Sequence, residues 1–154
     1  MSFAALITQM TEAAVRGDGA GVADCFTADG VYHDVFYGAF RGREIASMIE
    51  NYFHRDAENF RWDIHDPVGN GDVGYARYVF SYDSKLDESK GKRAIFEGVA
   101  ICRLNDGLIQ SYTEVANAAL GLSCIGFPPE RLARFIAKQR DELRQRDEAA
   151  AHIE

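Results

Sequence analysis

Residues 29–42, DGVYHDVFYGAFRG, decide how this chain is read. The side chains change character with a period of two, as in a strand with one buried face. Tyr32, Asp34 and Phe36 fall on one face, His33 and Val35 on the other, and glycines bound the turn that follows. Asp34 is the anomaly, because a carboxylate on an aromatic face is costly to bury unless it is bonded or paired. It caps the turn before YGAFRG, pairs with Arg41 or Arg43, or is kept for chemistry.

Upstream, SFAALITQMTEAAVRG puts Phe3, Leu6, Ile7, Met10 and Ala14 on one helical face, with Gly17 as its stop. Asp18 then caps a short helix ending near Phe26. Downstream, Ile45, Met48, Ile49, Tyr52 and Phe53 recur at helical spacing. From Asn59 the period becomes two. NFRWDIHDPV, VGYARYVFSYDS, KRAIFEGVAICRL and LIQSYTEVANAAL read as four strands, with NGD and NDG as turns. GFPPERLARFIAKQRDELRQRDEAAAHIE opens a helix with prolines in its first turn. Its stripe of Leu132, Phe135, Ile136 and Leu143 gives way to a polar end. Helices gathered before an antiparallel meander predict one α+β domain over residues 1–154, with the last helix, about 128–150, as an appendage. A strongly curved antiparallel sheet wrapped over N-terminal helices leaves a cone with an open end, a natural small-molecule pocket.

Composition narrows the function. With 154 residues, 47% hydrophobic and 27% charged, the chain reads as one soluble domain able to bury its own core. A net charge of -7 argues against nucleic-acid binding, which needs basic patches. No apolar run approaches the roughly 20 residues of a membrane helix, and MSFAALITQMTEAAVRGD reads as a domain helix rather than a signal peptide. Cys25, Cys102 and Cys124 are scattered and lack metal-ligand spacing. They suit a reducing cytosol, predict a cytoplasmic protein and offer no metal site. GNGDVG follows no strand-to-helix turn, so no dinucleotide or other cofactor is expected. His54 and His65, in polar surroundings, are expected to be solvated.

The run GDGAGVADCFTADGVYHDV has a Gly-Asp turn, a short helix closing on Phe26 and a strand ending in an aspartate. It resembles the front of the NTF2-like superfamily, which includes ketosteroid isomerases and SnoaL-like polyketide cyclases. FRGREIASMI resembles the opening of that family's third helix, and FEGVAICRLNDGLIQSYTEV its last hairpin. The resemblance spans Phe3 to Leu122 and implies an NTF2-like (cystatin-like) cone. It implies that Asp34 stands where ketosteroid isomerases keep their base. It also implies that Glu114, or by a less favourable register Asn117, stands where SnoaL-like cyclases often carry an acid, and that Glu114 matches one acid of limonene-epoxide-hydrolase relatives. Met10 and Ala100 occupy the places of the isomerase's oxyanion donors, and neither can donate a hydrogen bond to an enolate. Tyr78 and Phe80 occupy the region of the hydrolase's Arg and second Asp.

With that facing, Asp34 and Glu114 point into a cone lined by Tyr32, Phe36, Trp62, Tyr78, Phe80, Tyr82, Phe96 and Tyr112. Desolvation raises the pKa of such carboxylates, and a second acid nearby holds its proton more tightly still. One acid then serves as base while the other donates. The expected catalytic set is Asp34 as base, Glu114 as partner acid and Tyr112, with Tyr78 and Tyr32, for orientation. Tyr32, Phe36, Trp62, Tyr78, Phe80, Phe96 and Met10 are the expected substrate-binding residues. The expected activity is cofactor-independent proton transfer, of isomerase, cyclase or dehydratase type, on a small hydrophobic carbonyl or enol metabolite. Two other readings stay open: a non-catalytic small-molecule-binding or scaffold domain, and an epoxide or ester hydrolase. The outer sheet face, rich in Ile95, Val99, Ile101 and Val115, predicts a homodimer.

Overall fold

A computed structural model describes residues 1–154. Strands β1 (Phe26–Asp34), β2 (Gly38–Arg41), β3 (Ala57–Gly69), β4 (Val73–Ser84), β5 (Arg93–Asn105) and β6 (Leu108–Ala116) form one curved sheet in the order β2-β1-β6-β5-β4-β3. All neighbours are antiparallel except β1 and β6, which run parallel because the chain crosses the whole sheet between them. Helix α1 (Phe3–Val15) starts on Ser2, whose side chain accepts from the Ala5 N–H, and buries Leu6, Ile7, Met10 and Ala14. Helix α2 (Gly19–Ala23) is capped by Asp18, whose carboxylate accepts from the Gly21 N–H at 2.8 Å. A helical segment over residues 44–56 follows: α3 (Glu44–Met48), a π-helical turn (Ile49–Phe53) and α4 (His54–Asp56). The wider turn falls where Phe53 enters the core. These helices and the inward residues of β4, β5 and β6 share a single hydrophobic core.

Three details differ from the sequence reading. The turn at YGAFRG is strand β2, which folds back on β1 through Gly38 at φ +90°, with Asp34 opposite Gly38. The run after Ala116 is not strand but helix α5 (Ala118–Cys124). An Ala-Leu run serves either state, and burial of Ala118 and Leu122 decides for helix, with Gly121 allowing Phe96 to press close. The C-terminal helix α6 (Pro129–Arg144) ends short of residue 150, and a 3₁₀ turn (Asp147–His152) follows. No helix is long and apolar enough to cross a membrane.

Strand β5 alternates strictly, with Ala94, Phe96, Gly98, Ala100 and Cys102 inward. In register, Tyr78 of β4 faces Gly98, which faces Ala116 of β6. A Cβ on Gly98 would lie 2.6 Å from the Tyr78 hydroxyl and 2.8 Å from the Val115 carbonyl oxygen. The glycine therefore lets the phenol of Tyr78 cross β5 and reach β6. Gly98→Ala is expected to lower stability by about 1–3 kcal/mol through overpacking. Chemical denaturation measures this, and an unchanged midpoint would contradict the close approach.

Candidate functional site

The parallel register sets Tyr32 of β1 beside Tyr112 of β6, with ring centroids 4.5 Å apart. Two residues further along each strand come Asp34 and Glu114, at the end of the sheet pairing. Glu114 Oε2 accepts from the Tyr78 hydroxyl at 2.5 Å and from the Tyr112 hydroxyl at 3.0 Å. Asp34 Oδ1 accepts from the backbone N–H groups of Phe36 at 2.8 Å and Tyr37 at 3.0 Å. Of the three expectations for Asp34, turn capping is realised and pairing with Arg41 or Arg43 is not, since Arg41 donates to the Asp29 carbonyl. The capping role does not remove Asp34 from the interior, where it lies beside Glu114.

Asp34 and Glu114 line a void of about 20 Å³ together with Tyr32, Val35, Phe36, Phe53, Trp62, Tyr78, Phe80 and Phe96. That is room for about one water. Phe36, Phe53 and Phe80 also line a larger apolar chamber of about 200 Å³, so the void is its inner neighbour. Phe60, Tyr82, Leu122, Ile125, Phe127 and Phe135 supply most of its other apolar walls, and Tyr37 and Asp56 a polar edge. Helices α5 and α6 thus roof the open end of the cone, and Phe135 stacks on Phe36 at 5.7 Å. On the other side the same two carboxylates line a polar outer groove with His33, Arg103, Thr113, Glu142 and Arg146. Both acids are only partly buried as residues, and the groove gives them access to solvent.

Burial pushes Glu114 up to about 7; the charge of Asp34 adds to this, and the two phenol hydrogen bonds oppose it. Burial also raises Asp34, against the two backbone N–H bonds. Tyr78, Tyr112 and Tyr32 are raised by burial first and by the Glu114 charge second, so they stay protonated and donate.

Of the expected residues, Tyr32, Phe36, Trp62, Tyr78, Phe80 and Phe96 gather around the two acids. Tyr112 is fully buried and touches the site through Glu114 rather than through the void. Met10 lies on the stripe of α1 that seals the core and lines neither the void nor the chamber. The sequence reading missed Phe53, Phe60 and Phe127 as chamber walls, and Gly98 as the passage for Tyr78. An interior strand glycine is itself a signal of close approach. His54 is half-buried rather than solvated: its Nε2–H donates to the Ala14 carbonyl at 2.7 Å and ties α4 to α1. No three His, Cys, Asp or Glu side chains gather where they could hold a metal ion.

A search of curated sequences gives no match. Among solved structures, IdmH from Streptomyces antibioticus is 18% identical with a TM-score of 0.69, over 82% of this chain and 100% of that one. A protein with a ketosteroid isomerase-like fold from Catenulispora acidiphila, solved with trimethylamine, is 21% identical with a TM-score of 0.70, over 81% and 95%. An LEH-like epoxide hydrolase from Mycobacterium tuberculosis is 16% identical with a TM-score of 0.63, over 78% and 86%. At these identities the likeness is one of fold. The SnoaL-like domain matches residues 7–112, a span running from α1 through β1 and its aspartate to Tyr112 on β6. With the family's sequence pattern and its fold both present over most of the chain, this protein belongs to the SnoaL-like domain family.

Proposed function

We propose that the protein is a cofactor-independent proton-transfer enzyme acting on a small hydrophobic carbonyl or enol compound. The observation that carries this reading is the pair Asp34 and Glu114 at the inner end of an apolar chamber, with both carboxylates raised by burial. In the proposed step, ionised Asp34 takes a proton from the carbon next to the substrate carbonyl. The electron pair moves to the carbonyl oxygen, protonated Glu114 donates its proton to the enolate, and proton exchange through the outer groove returns Asp34 to its anion and Glu114 to its acid form. Tyr78 and Tyr112 hold Glu114 in place, and Tyr32 supports Tyr112 by stacking. The two environments separate the roles. Asp34, stabilised as an anion by two N–H bonds, suits the base, and Glu114, held near 7, suits the acid. The ketosteroid isomerase-like fold of one structural neighbour agrees with chemistry of this class.

Two other readings have their own support. A non-catalytic binding domain is favoured by the structural duty of Asp34 in its turn and by the tight packing of rings around the acids. A hydrolase is favoured by a void that fits about one water between two acids, and by the LEH-like neighbour. We also propose a homodimer through the outer sheet face, where Ile95, Val99 and Val115 are 49%, 37% and 66% exposed and Val99 faces Val115 across the β5–β6 ladder. The buried thiols of Cys25 and Cys102 fit a reducing, cytoplasmic setting.

Turnover of simple cyclic enones and β-keto compounds, followed by loss of absorbance or by deuterium exchange, tests the activity. Asp34→Asn and Glu114→Gln are each expected to slow it about 10²–10⁴-fold, the range for a positioned acid or base. Equal rates in wild type and Asp34→Asn would remove Asp34 from the mechanism. The same assay across pH should show activity falling as pH rises through about 7, where Glu114 loses its proton.

Stability has its own pH signature. The folded-state pKa of Glu114, about 7, lies above its ordinary value of 4.5, so between these the folded chain holds a proton that the unfolded chain releases. Stability contributed by protonated Glu114 is therefore complete below pH 4.5 and lost as pH rises through 7. Glu114→Gln, which stays neutral, should be more stable than wild type above pH 7 and lose that advantage toward pH 4.5. Urea titrations of both proteins at several pH values check this, and parallel curves would refute the raised pKa. For the assembly, sedimentation velocity should give a two-chain species in wild type and a single chain in Val99→Asp/Val115→Asp. A wild-type single chain at micromolar concentration would rule the dimer out.

A further inference from the structure

Trp62 is the only tryptophan in the chain. It lies on β3 opposite Phe80, packs edge-on against Tyr78 at 5.8 Å and Phe80 at 5.2 Å, and walls the void that holds Asp34 and Glu114. Its Nε1 is buried and bonded to nothing, the one side-chain nitrogen or oxygen in the protein of which this is true. An indole N–H can only donate. A folded core pairs almost all such groups, so an orphan donor at a cavity wall calls for a partner. The two acids that share this lining do not bond to it: Glu114 Oε2 holds two phenols, and Asp34 Oδ1 holds two backbone N–H groups.

We infer that the Trp62 Nε1–H is the recognition donor for a neutral carbonyl oxygen on the ligand, whose apolar body of one or two rings occupies the chamber. Size supports the division. The chamber, at about 200 Å³, exceeds the roughly 150 Å³ of an engineered cavity that holds benzene, whereas the void has room for about one oxygen. Charge supports it too. A carboxylate or phosphate entering the void would meet Asp34 and Glu114, while a neutral ketone oxygen meets an unpaired donor and far weaker repulsion. A hydrocarbon would leave the indole N–H unpaired, and an amine protonated beside two acids has no lone pair to accept from it. The ligand class is therefore a neutral cyclic ketone or enone. The inference shares the site of the proposed proton transfer but requires no turnover.

The probes are 1-indanone and indane, which share a fused-ring skeleton and differ in the carbonyl. Calorimetry gives their affinities for wild type and Trp62→Phe, which keeps an aromatic ring and removes the donor. Trp62→Phe is expected to weaken 1-indanone about fivefold, the effect of one ordinary hydrogen bond, and to leave indane within about twofold. Independently of any variant, the single indole N–H resonance of wild-type protein should move downfield with 1-indanone and not with indane. Equal weakening of both probes, an indole proton indifferent to the ketone, or failure of either probe to bind would each overturn the assignment. Since no turnover is read, a failed proton-transfer reading leaves this result standing. Turnover unaccompanied by any ketone-specific effect at Trp62 would sink this inference alone.

Discussion

The site depends on one hydrogen bond that spans three strands. The Tyr78 phenol, rooted on β4, passes over β5 and donates to Glu114 on β6. That reach is possible because β5 presents Gly98 and Ala100 on its inner face, the first opposite Tyr78 and the second opposite Glu114. Tyr112 donates to the same oxygen from the strand that carries Glu114. A carboxylate taken from water into an aromatic interior needs such partners. Burial keeps the surrounding phenols protonated, and the charge of the acid, when ionised, adds to this. Core packing, strand register and the chemistry of the acid are thus aspects of one arrangement.

The two acids stand between unlike environments. Inward lie the aromatic void and the apolar chamber; outward lies a polar groove formed by the sheet's outer face and the end of α6. The opening lies where the parallel pairing of β1 with β6 ends, at Tyr32 and Tyr112, just before Asp34 and Glu114. A carboxylate with one side against aromatic rings and one toward water has a raised proton affinity and a path for exchanging that proton with solvent. The C-terminal segment is no mere appendage in this arrangement. Its Phe127 and Phe135 close the chamber, and its Glu142 and Arg146 border the groove.

Much of this was legible in the residues. Period-two alternation put Tyr32 and Asp34 on one face of β1, and Tyr112 and Glu114 on one face of β6; the family resemblance turned those faces inward, and the structure brings all four together. Alternation is readable because each strand has one buried face, so a polar residue in phase with aromatics stands out. The helical stripe of α1 was legible for the same reason, but the place of Met10 was not. An inward helical residue can seal the core or line a cavity, and spacing cannot tell these apart. Helix α5 was missed because a short Ala-Leu-Gly run carries no periodicity, and its state is set by packing against β5. His54 looked solvated among polar neighbours because its partner, the Ala14 carbonyl, lies forty residues away in the chain.

The sequence by itself determined the α+β class and which residues share a face on β1, β5 and β6, and its resemblance to a known fold said that Asp34 and Glu114 turn inward. The first two follow from local periodicity, and the acids stand out because such residues resist burial. Only the tertiary structure decided that the acids adjoin, that Asp34 caps its turn while doing so, that the aromatic interior divides into a one-water void and a ligand-sized chamber, and that Trp62 is left with an unpaired proton. Those outcomes depend on distances between residues far apart in the chain. Such distances are set by strand register and by the closing of α5 and α6 over the cone, neither of which any single segment encodes.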